Sequence, residues 1–302
     1  LTASRSYTSR ERCQATLATN RFDANINNCN LNQGSFGAAL YVNSGTTTVD
    51  ECLFQANRTV GRSGKGGAVY VTGSASGLHD FYRCVFNVNT ALTGGGAVYF
   101  NNGRSTLRNC LVVSNGATLG GGGVWMEHAS NQLQNCTIVD NTVQQGGAGL
   151  QITAGAVTNC IVYHNYRAYD QFEWNVEKTG GVFDYSCASP PVSGVNNTDA
   201  LPDFKDRAGG DYRLKLASPC EDTGVNLDWM AGAYDLSGTN ARIIGGTADR
   251  GAYETESRAA GAFRGNFVAP VTYALDYLDA VFEATVAGAQ TNGAHYAWDF
   301  NT

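Results

Sequence analysis

Hydrophobic and polar residues alternate in two short motifs that recur through the first half of the chain. The first motif begins with glycine and carries apolar residues two positions apart, and its copies start at Gly37, Gly66, Gly95, Gly121 and Gly147. The starts are 29, 29, 26 and 26 residues apart. A spacing of two places both apolar side chains on one face of a strand. A repeat in the range of about 20–50 residues is typical of solenoids.

The second motif begins with cysteine and shows the same alternation. Its copies start at Cys52, Cys84, Cys110, Cys136 and Cys160, and an apolar residue follows two positions later in each. Neither motif has an apolar stripe at helical spacing, and the segments between them are rich in glycine and asparagine, which are poor helix formers. The pattern predicts an all-β fold, a right-handed parallel β-helix whose equivalent residues stack about 4.8 Å apart.

An asparagine lies five residues after each repeat cysteine, where a strand has to end and the chain has to turn. The five positions are Asn57, Asn89, Asn115, Asn141 and Asn165. Asparagine tolerates left-handed backbone angles, and stacked asparagine side chains can hydrogen-bond along a ladder. We therefore predict a structural ladder of asparagines at this turn.

The chain contains nine cysteines, none of which forms a CxxC pair. The repeat cysteines share one inward column, and parallel stacked side chains have unfavourable geometry for a disulfide. This arrangement predicts a reduced, buried ladder. Cys187 and Cys220 lie outside the repeats and are the more plausible disulfide pair. No group of residues has metal-ligand spacing, so the sequence predicts no metal and no cofactor.

Charge and composition narrow the class of protein. The chain has 20 Lys and Arg against 26 Asp and Glu, a formal net charge of −6, and no basic run. Nucleic-acid binding needs clustered positive charge, so a nucleic-acid partner is not expected. No apolar stretch has the length of a transmembrane helix. The low charged fraction, 15% beside 37 glycines, is usual for a β-rich extracellular protein.

The repeats suggest how the chain is divided. We expect the β-helix to occupy residues 1–256, with irregular coils and a C-terminal cap from about residue 180. The first 28 residues are less regular and are expected to form a cap or the edge of a longer helix. Residues 257–302 alternate as strands, and we expect them to form part of a β-sandwich that the sequence does not complete.

Three stretches resemble known bacterial families. GGAVY, with FQAN at Phe54 and FNVN at Phe86, resembles the repeats of the polymorphic outer-membrane proteins, whose passenger regions are β-helical surface adhesins. Residues 203–254, which include DRGAYE, resemble the end of secreted β-helix proteins with a choice-of-anchor region. YAWDF at Tyr296–Phe300 is similar to a strand of PKD-like domains, which implies that residues 257–302 are a truncated immunoglobulin-like β-sandwich of that kind. These resemblances imply a bacterial protein that is extracellular or at the cell surface.

The first motif supplies one candidate binding surface. Residues between its inward positions should face outward, and they are Tyr41, Tyr70, Tyr99, Trp125 and Gln151. Such an exposed aromatic ladder would suit stacking against a sugar or the apolar patch of a partner. Alternatively, the aromatics stack only for stability or lie under a loop.

The second motif supplies a candidate catalytic pair. Asp140 and His164 occupy equivalent positions on consecutive coils, so a carboxylate could orient an imidazole as a general base. Earlier copies hold Ala56, Val88 and Ser114, which favours a solvated turn pair instead. We therefore expect a structural or adhesin-like module with glycans or a neighbouring or host cell surface as partners. The alternative is a polysaccharide lyase or glycoside hydrolase on a pectate-lyase-like β-helix.

Overall fold

The fold is built from four parallel sheets that run along a solenoid. The computed structural model describes residues 14–18, 20–27, 35–43, 45–61, 63–73 and 77–255. Within them, each coil contributes one strand to each sheet, and six complete coils are followed by two strands of a seventh. The β-sandwich predicted for residues 257–302 lies outside the described residues.

The two longest sheets contain seven strands each. Sheet I consists of β1 (Gln14–Ala18), β5 (Thr46–Asp50), β9 (Leu78–Tyr82), β13 (Arg104–Arg108), β17 (Gln132–Gln134), β21 (Ala156–Thr158) and β25 (Val182–Asp184). Sheet II carries the cysteine motif and consists of β2 (Arg21–Asp23), β6 (Leu53–Gln55), β10 (Val85–Asn87), β14 (Leu111–Val113), β18 (Thr137–Val139), β22 (Ile161–Tyr163) and β26 (Cys187–Ala188).

The other two sheets contain six strands each. Sheet III consists of the short strands β3 (Ile26–Asn27), β7 (Arg58–Thr59), β11 (Thr90–Ala91), β15 (Gly116–Ala117), β19 (Thr142–Val143) and β23 (Tyr166–Arg167). Sheet IV carries the glycine motif and consists of β4 (Leu40–Val42), β8 (Val69–Val71), β12 (Val98–Phe100), β16 (Val124–Met126), β20 (Leu150–Ile152) and β24 (Val176–Lys178). A hairpin of β27 (Phe204–Asp206) and β28 (Asp211–Leu214) and a 3-10 turn, Asp228–Met230, follow.

The register places like residues above one another, as the repeat predicted. Val98 pairs with Val69 on one side and with Val124 on the other. Their side chains are fully buried in a single apolar core that extends along the solenoid. The rings of Phe54 and Phe86 stack in that core at 4.8 Å between centroids. The repeat cysteines also face this interior, where they are buried free thiols.

The predicted asparagine ladder is confirmed, and it is longer than the repeats indicated. Asn115 Nδ2 donates to Asn141 Oδ1 at 3.0 Å, and the same bond recurs from Asn25 to Asn175. Left-handed backbone angles occur one residue earlier than expected, for example at Val88 with φ 56°. The asparagine therefore stabilises the turn through its side chain, while its predecessor adopts the unusual backbone angle.

Residues after the seventh coil form two parts. Residues 189–198 cover the end of the solenoid, where Val192 packs against the core and Thr198 pairs with Cys187. The flanking segment, residues 199–255, instead turns back along the outward face of sheet II. There Phe204 and Leu214 share an apolar cluster with Val139 on that face. The outward face of sheet II is buried because this segment covers it.

A second asparagine column holds the flanking segment in place. Asn109, Asn135 and Asn159 immediately precede repeat cysteines and have φ values of 50°, 51° and 56°. Asn109 Nδ2 donates to Tyr234 O at 2.7 Å, and Asn159 Nδ2 donates to Val225 O at 2.8 Å. The recurring Asn-Cys dipeptide was the sequence signal for this column.

Candidate functional site

The predicted aromatic ladder exists as a stack of rings. Tyr41 and Tyr70 stack at 5.6 Å between centroids, as do Tyr70 and Tyr99, and Trp125 lies tilted against Tyr99 at 5.3 Å. Tyr41 is 38% exposed and Trp125 is half-buried, but Tyr70 and Tyr99 are only 5% and 1% exposed. The expectation of a continuous exposed ladder is therefore wrong at its centre. Gln151, the last member of the row, is also buried.

The residues that lead into each glycine motif cover this row of aromatic rings. Phe36, Lys65, Gly94 and Gly120 form a bridged row beside the rings. Lys65 Nζ donates to the Tyr99 hydroxyl at 2.8 Å and lies 4.4 Å from the ring centroid. A Cβ at Gly94 would lie 2.3 Å from Trp125 Cε3, so only glycine allows the indole to pack there. The aromatic rings therefore stack under a loop, which was the alternative to an exposed ladder.

An open groove lies instead on the outward face of sheet III. Its volume is about 410 Å³, and three consecutive residues from each of four coils line it, followed by Ala168 from the next coil. One row of the lining runs in register through Arg58, Thr90, Gly116 and Thr142. Because Gly116 has no side chain, the middle of this row is open. The groove runs parallel to the solenoid axis.

The groove is mixed in chemistry and mostly uncharged. Hydroxyl and amide groups come from threonines and from Gln144, and apolar contact comes from Val60 and Leu92. Arg58 is the one charged residue among those that line it. Equivalent positions on successive coils recur about every 4.8 Å. Each of the four coils contributes one threonine and at least one apolar side chain, but at different positions among its three lining residues.

Sheet III ends at a turn that carries exposed aromatic rings. This aromatic turn, Tyr166–Trp174, begins where Tyr166 pairs with Thr142. Tyr169 is 69% exposed and Phe172 is 50% exposed. The Arg167 guanidinium lies 5.3 Å from the Tyr169 ring and 5.2 Å from the Phe172 ring, so it gathers them together. Four aromatics within nine residues were the sequence signal, and three of them follow the last strand of sheet III.

Asp140 and His164, the candidate catalytic pair, are neighbours in space, but their side chains bind different partners. Asp140 N donates to His164 O at 3.1 Å, which confirms that the two residues are neighbours. The Asp140 carboxylate, however, accepts from Arg207 Nε at 2.9 Å and from the Tyr212 hydroxyl at 3.0 Å. His164 Nδ1 lies 3.0 Å from Glu173 Oε1. The imidazole is therefore oriented by Glu173 and not by Asp140.

These side chains form a paired cluster at the end of the groove. The Tyr166 hydroxyl donates to Glu173 Oε1 at 2.9 Å, and Arg207 Nη2 lies 3.5 Å from the Tyr166 hydroxyl. Burial acts to raise the pKa of Glu173, but hydrogen bonds from His164 and Tyr166 outweigh it and lower that pKa. Burial also raises the pKa of Tyr166, and its bond to Glu173 adds to the effect.

The protonation states favour a structural role for this cluster. A general acid at neutral pH needs a raised carboxyl pKa, whereas Glu173 is held ionised. Both oxygens of Asp140 are occupied by groups from the β27–β28 hairpin. The cluster thus fastens the flanking segment to the fifth and sixth coils.

The only helix among the described residues is the three-residue turn, and none there is long and apolar enough to cross a bilayer.

Comparison with known proteins identifies the family of the fold. Comparison with curated proteins finds no match. A family model described as right handed beta helix region matches residues 17–194. That family includes lyases and hydrolases as well as proteins without enzymatic activity. The match covers more than half of the 302 residues and agrees with the parallel four-sheet coil, so the chain belongs to the right-handed β-helix family.

Proposed function

We propose that this protein is an extracellular, cell-surface β-helix module that binds an extended glycan in the groove of sheet III. The observation that carries the proposal is the groove itself, which is open over several coils and whose last lining residue, Ala168, immediately precedes the exposed ring of Tyr169. A polymer lying along it meets one threonine and at least one apolar side chain on each of the four coils. Sites of this kind combine apolar lining with a few fixed polar groups.

The chemistry of the groove favours a sugar chain over a peptide. Strands inside sheet III are already paired on both sides, so their backbone offers no free edge to an added peptide strand. The recognition groups are side-chain hydroxyls, the Gln144 amide and the rings of Tyr169 and Phe172. Flat rings offer apolar faces that suit the apolar faces of sugars.

The location at the cell surface is supported by composition and resemblance. The chain is glycine-rich and sparing in charge, with 15% Asp, Glu, Lys and Arg. Its GGAVY repeats resemble those of surface adhesins, and residues 203–254 resemble a surface-attachment region. A rigid solenoid that displays a binding groove suits a structural or adhesin-like role.

Blocking the groove should abolish glycan binding. In Thr142→Arg a long charged side chain enters the open row beside Gly116, and we expect at least tenfold weaker binding, about 1.4 kcal/mol. A glycan array followed by calorimetry on the best ligand measures this effect. Thr48→Arg, at an exposed threonine of sheet I, is the matched control and should bind normally. Equal binding by both variants would contradict the groove as the site.

Ring variants then separate the aromatic turn from the aromatic ladder. Tyr169→Ala and Phe172→Ala should each weaken binding about tenfold, because each removes an exposed ring at the end of the groove. Tyr41→Ala removes the most exposed tyrosine of the ladder and should have no effect. Binding lost only in Tyr41→Ala would move the site to the ladder.

A polysaccharide lyase or glycoside hydrolase is the second candidate. It is favoured by the position of Glu173, Tyr166 and Arg207 where the groove ends. Incubation with neutral glycans and uronic-acid polymers, monitored for new reducing ends and unsaturated products, tests it directly. We expect no turnover with the wild-type protein. Wild-type turnover that is lost in Glu173→Gln would instead establish an enzyme.

A further inference from the structure

Two buried cysteines meet across the interface between sheet II and the flanking segment. Cys187 lies in β26 and points outward from sheet II, in the row that also contains Ile161. Cys220 belongs to the flanking segment that covers this face. Both residues are fully buried in the same apolar cluster, and the neighbouring Cys187 raises the pKa of the Cys220 thiol, with burial adding to the effect. They are free thiols in the structure.

Their geometry differs from that of the repeat cysteines. The repeat thiols stand on adjacent parallel strands, and their side chains point the same way, into the core. Cys187 and Cys220 instead come from opposite sides of an interface and are buried in the same cluster between them. A disulfide requires Cβ atoms that approach one another, which opposed side chains allow and parallel ones disfavour.

Main-chain contacts hold both residues in position. The Cys187 thiol donates to Ala200 O at 3.2 Å. Arg250, in the DRGAYE stretch, donates its backbone N–H to Cys220 O at 3.0 Å. Since neither cysteine is exposed, an oxidant can reach the pair only before the flanking segment has docked.

We propose that Cys187 and Cys220 form a disulfide that locks the flanking segment onto sheet II. In the reaction the two thiols lose two protons and two electrons and become joined by a new S–S bond. An external disulfide, such as glutathione disulfide or an oxidised dithiol protein, accepts the electrons and protons and is reduced to two thiols. The bond forms during folding in an oxidising compartment, and burial then protects it from reductants.

The bond closes a loop between positions 33 apart. A cross-link of that span restricts the unfolded chain and should raise Tm by on the order of 10 °C. The inference does not rest on glycan binding, because it concerns how the covering segment is held and not what occupies the groove.

Thiol counting on the full chain tests the proposal without any substitution. The protein is refolded in a glutathione redox buffer, unfolded in denaturant and alkylated, and the modified cysteines are counted by mass spectrometry. Nine cysteines are present, so a single disulfide leaves seven to be alkylated. Trypsin cuts between the two positions at Lys205, and the linked peptides should contain Cys187 and Cys220. Nine alkylated cysteines, or a linkage through another cysteine, would overturn the proposal.

Variants give an independent readout. Cys220→Ser should leave all eight remaining cysteines free and lower Tm by on the order of 10 °C relative to the oxidised protein. Cys160→Ala is the matched control from the repeat column and should retain the linkage whatever its Tm. If the oxidised wild type and the same protein refolded with reductant have equal Tm, the disulfide does not lock the segment.

Discussion

Replacing Asn115 with alanine is expected to lower the free energy of unfolding by about 3–5 kcal/mol. Asn115 is fully buried in the middle of the ladder. Its Nδ2 donates to Phe86 O and to Val113 O, both at 3.0 Å. Its Oδ1 accepts from the backbone N–H of Asn89 at 2.8 Å. Alanine leaves these partners buried without a replacement, which costs far more than the lost bonds alone.

Chemical denaturation measures this change, and thermal unfolding should show a fall in Tm on the order of 10 °C. Asn43→Ala is the control, since Asn43 is exposed and such substitutions usually change stability by less than about 0.5 kcal/mol. If Asn115→Ala were as mild as the control, the ladder would not be what stabilises the turns. The contiguous bonds from coil to coil make the central position more sensitive than an end position such as Asn25.

Replacing Glu254 with alanine is expected to cost about 3 kcal/mol. Glu254 Oε2 lies 3.2 Å from Arg242 Nη2, and both side chains are almost completely buried. Arg242 Nε and Nη1 have no hydrogen-bond partner within the described residues, so Glu254 is a principal acceptor for a buried cation. Its carboxyl group also accepts from the Ile244 N–H at 3.2 Å. Glu254, the last residue of the DRGAYE stretch, thus contacts the buried Arg242 cation of the same flanking segment.

Stability should also depend on pH through this residue. Burial raises the pKa of Glu254 to about 8, outweighing the opposite effect of Arg242. Below the ordinary glutamate pKa of about 4.3, the folded and unfolded states are both protonated. Between there and about pH 8 the unfolded chain releases a proton that the folded protein retains, so stability falls as the pH rises. The slope approaches about 1.4 kcal/mol per pH unit inside this window.

Glu254→Gln separates the charge from the shape of the side chain. Glutamine resembles the protonated acid, so the variant should be nearly as stable as wild type at the acid end of the window and show a flatter dependence on pH. Asp249, whose pKa burial also raises, faces the same cluster with Arg242 and Asp235 and leaves a residual slope in the variant. Asp199→Ala, at an exposed carboxylate, is the control for both substitutions. An identical pH profile in wild type and Glu254→Gln would contradict this assignment.

Repeating residues were the part of the molecule that could be predicted. Val69, Val98 and Val124 were expected to stack because each coil of a solenoid packs mainly against its neighbours. The spacing of two sets which side chains face inward, and the fixed interval sets which of them meet. The same reasoning placed Asp140 beside His164, and their backbone contact agrees with it.

The partners of those residues could not be predicted in the same way. Arg207 binds Asp140 across 67 positions of the chain, and the Arg207 stretch does not repeat. Glu173 reaches His164 because a turn interrupts the sixth coil. Tyr99 faces outward, as the alternation requires, yet it lies under Lys65. An outward direction on a strand does not establish exposure, since exposure depends on what other segments pack there.

The sequence by itself determined the coil, its register, the inward cysteine column and the asparagine ladder, because each depends on contacts between equivalent positions of neighbouring repeats. The tertiary structure decided which outward faces remain open. The residues that lead into each glycine motif cover the outward face of sheet IV, and the flanking segment covers that of sheet II. Sheet III keeps an open groove. These coverings join positions that share no repeat, so only the folded chain brings them together.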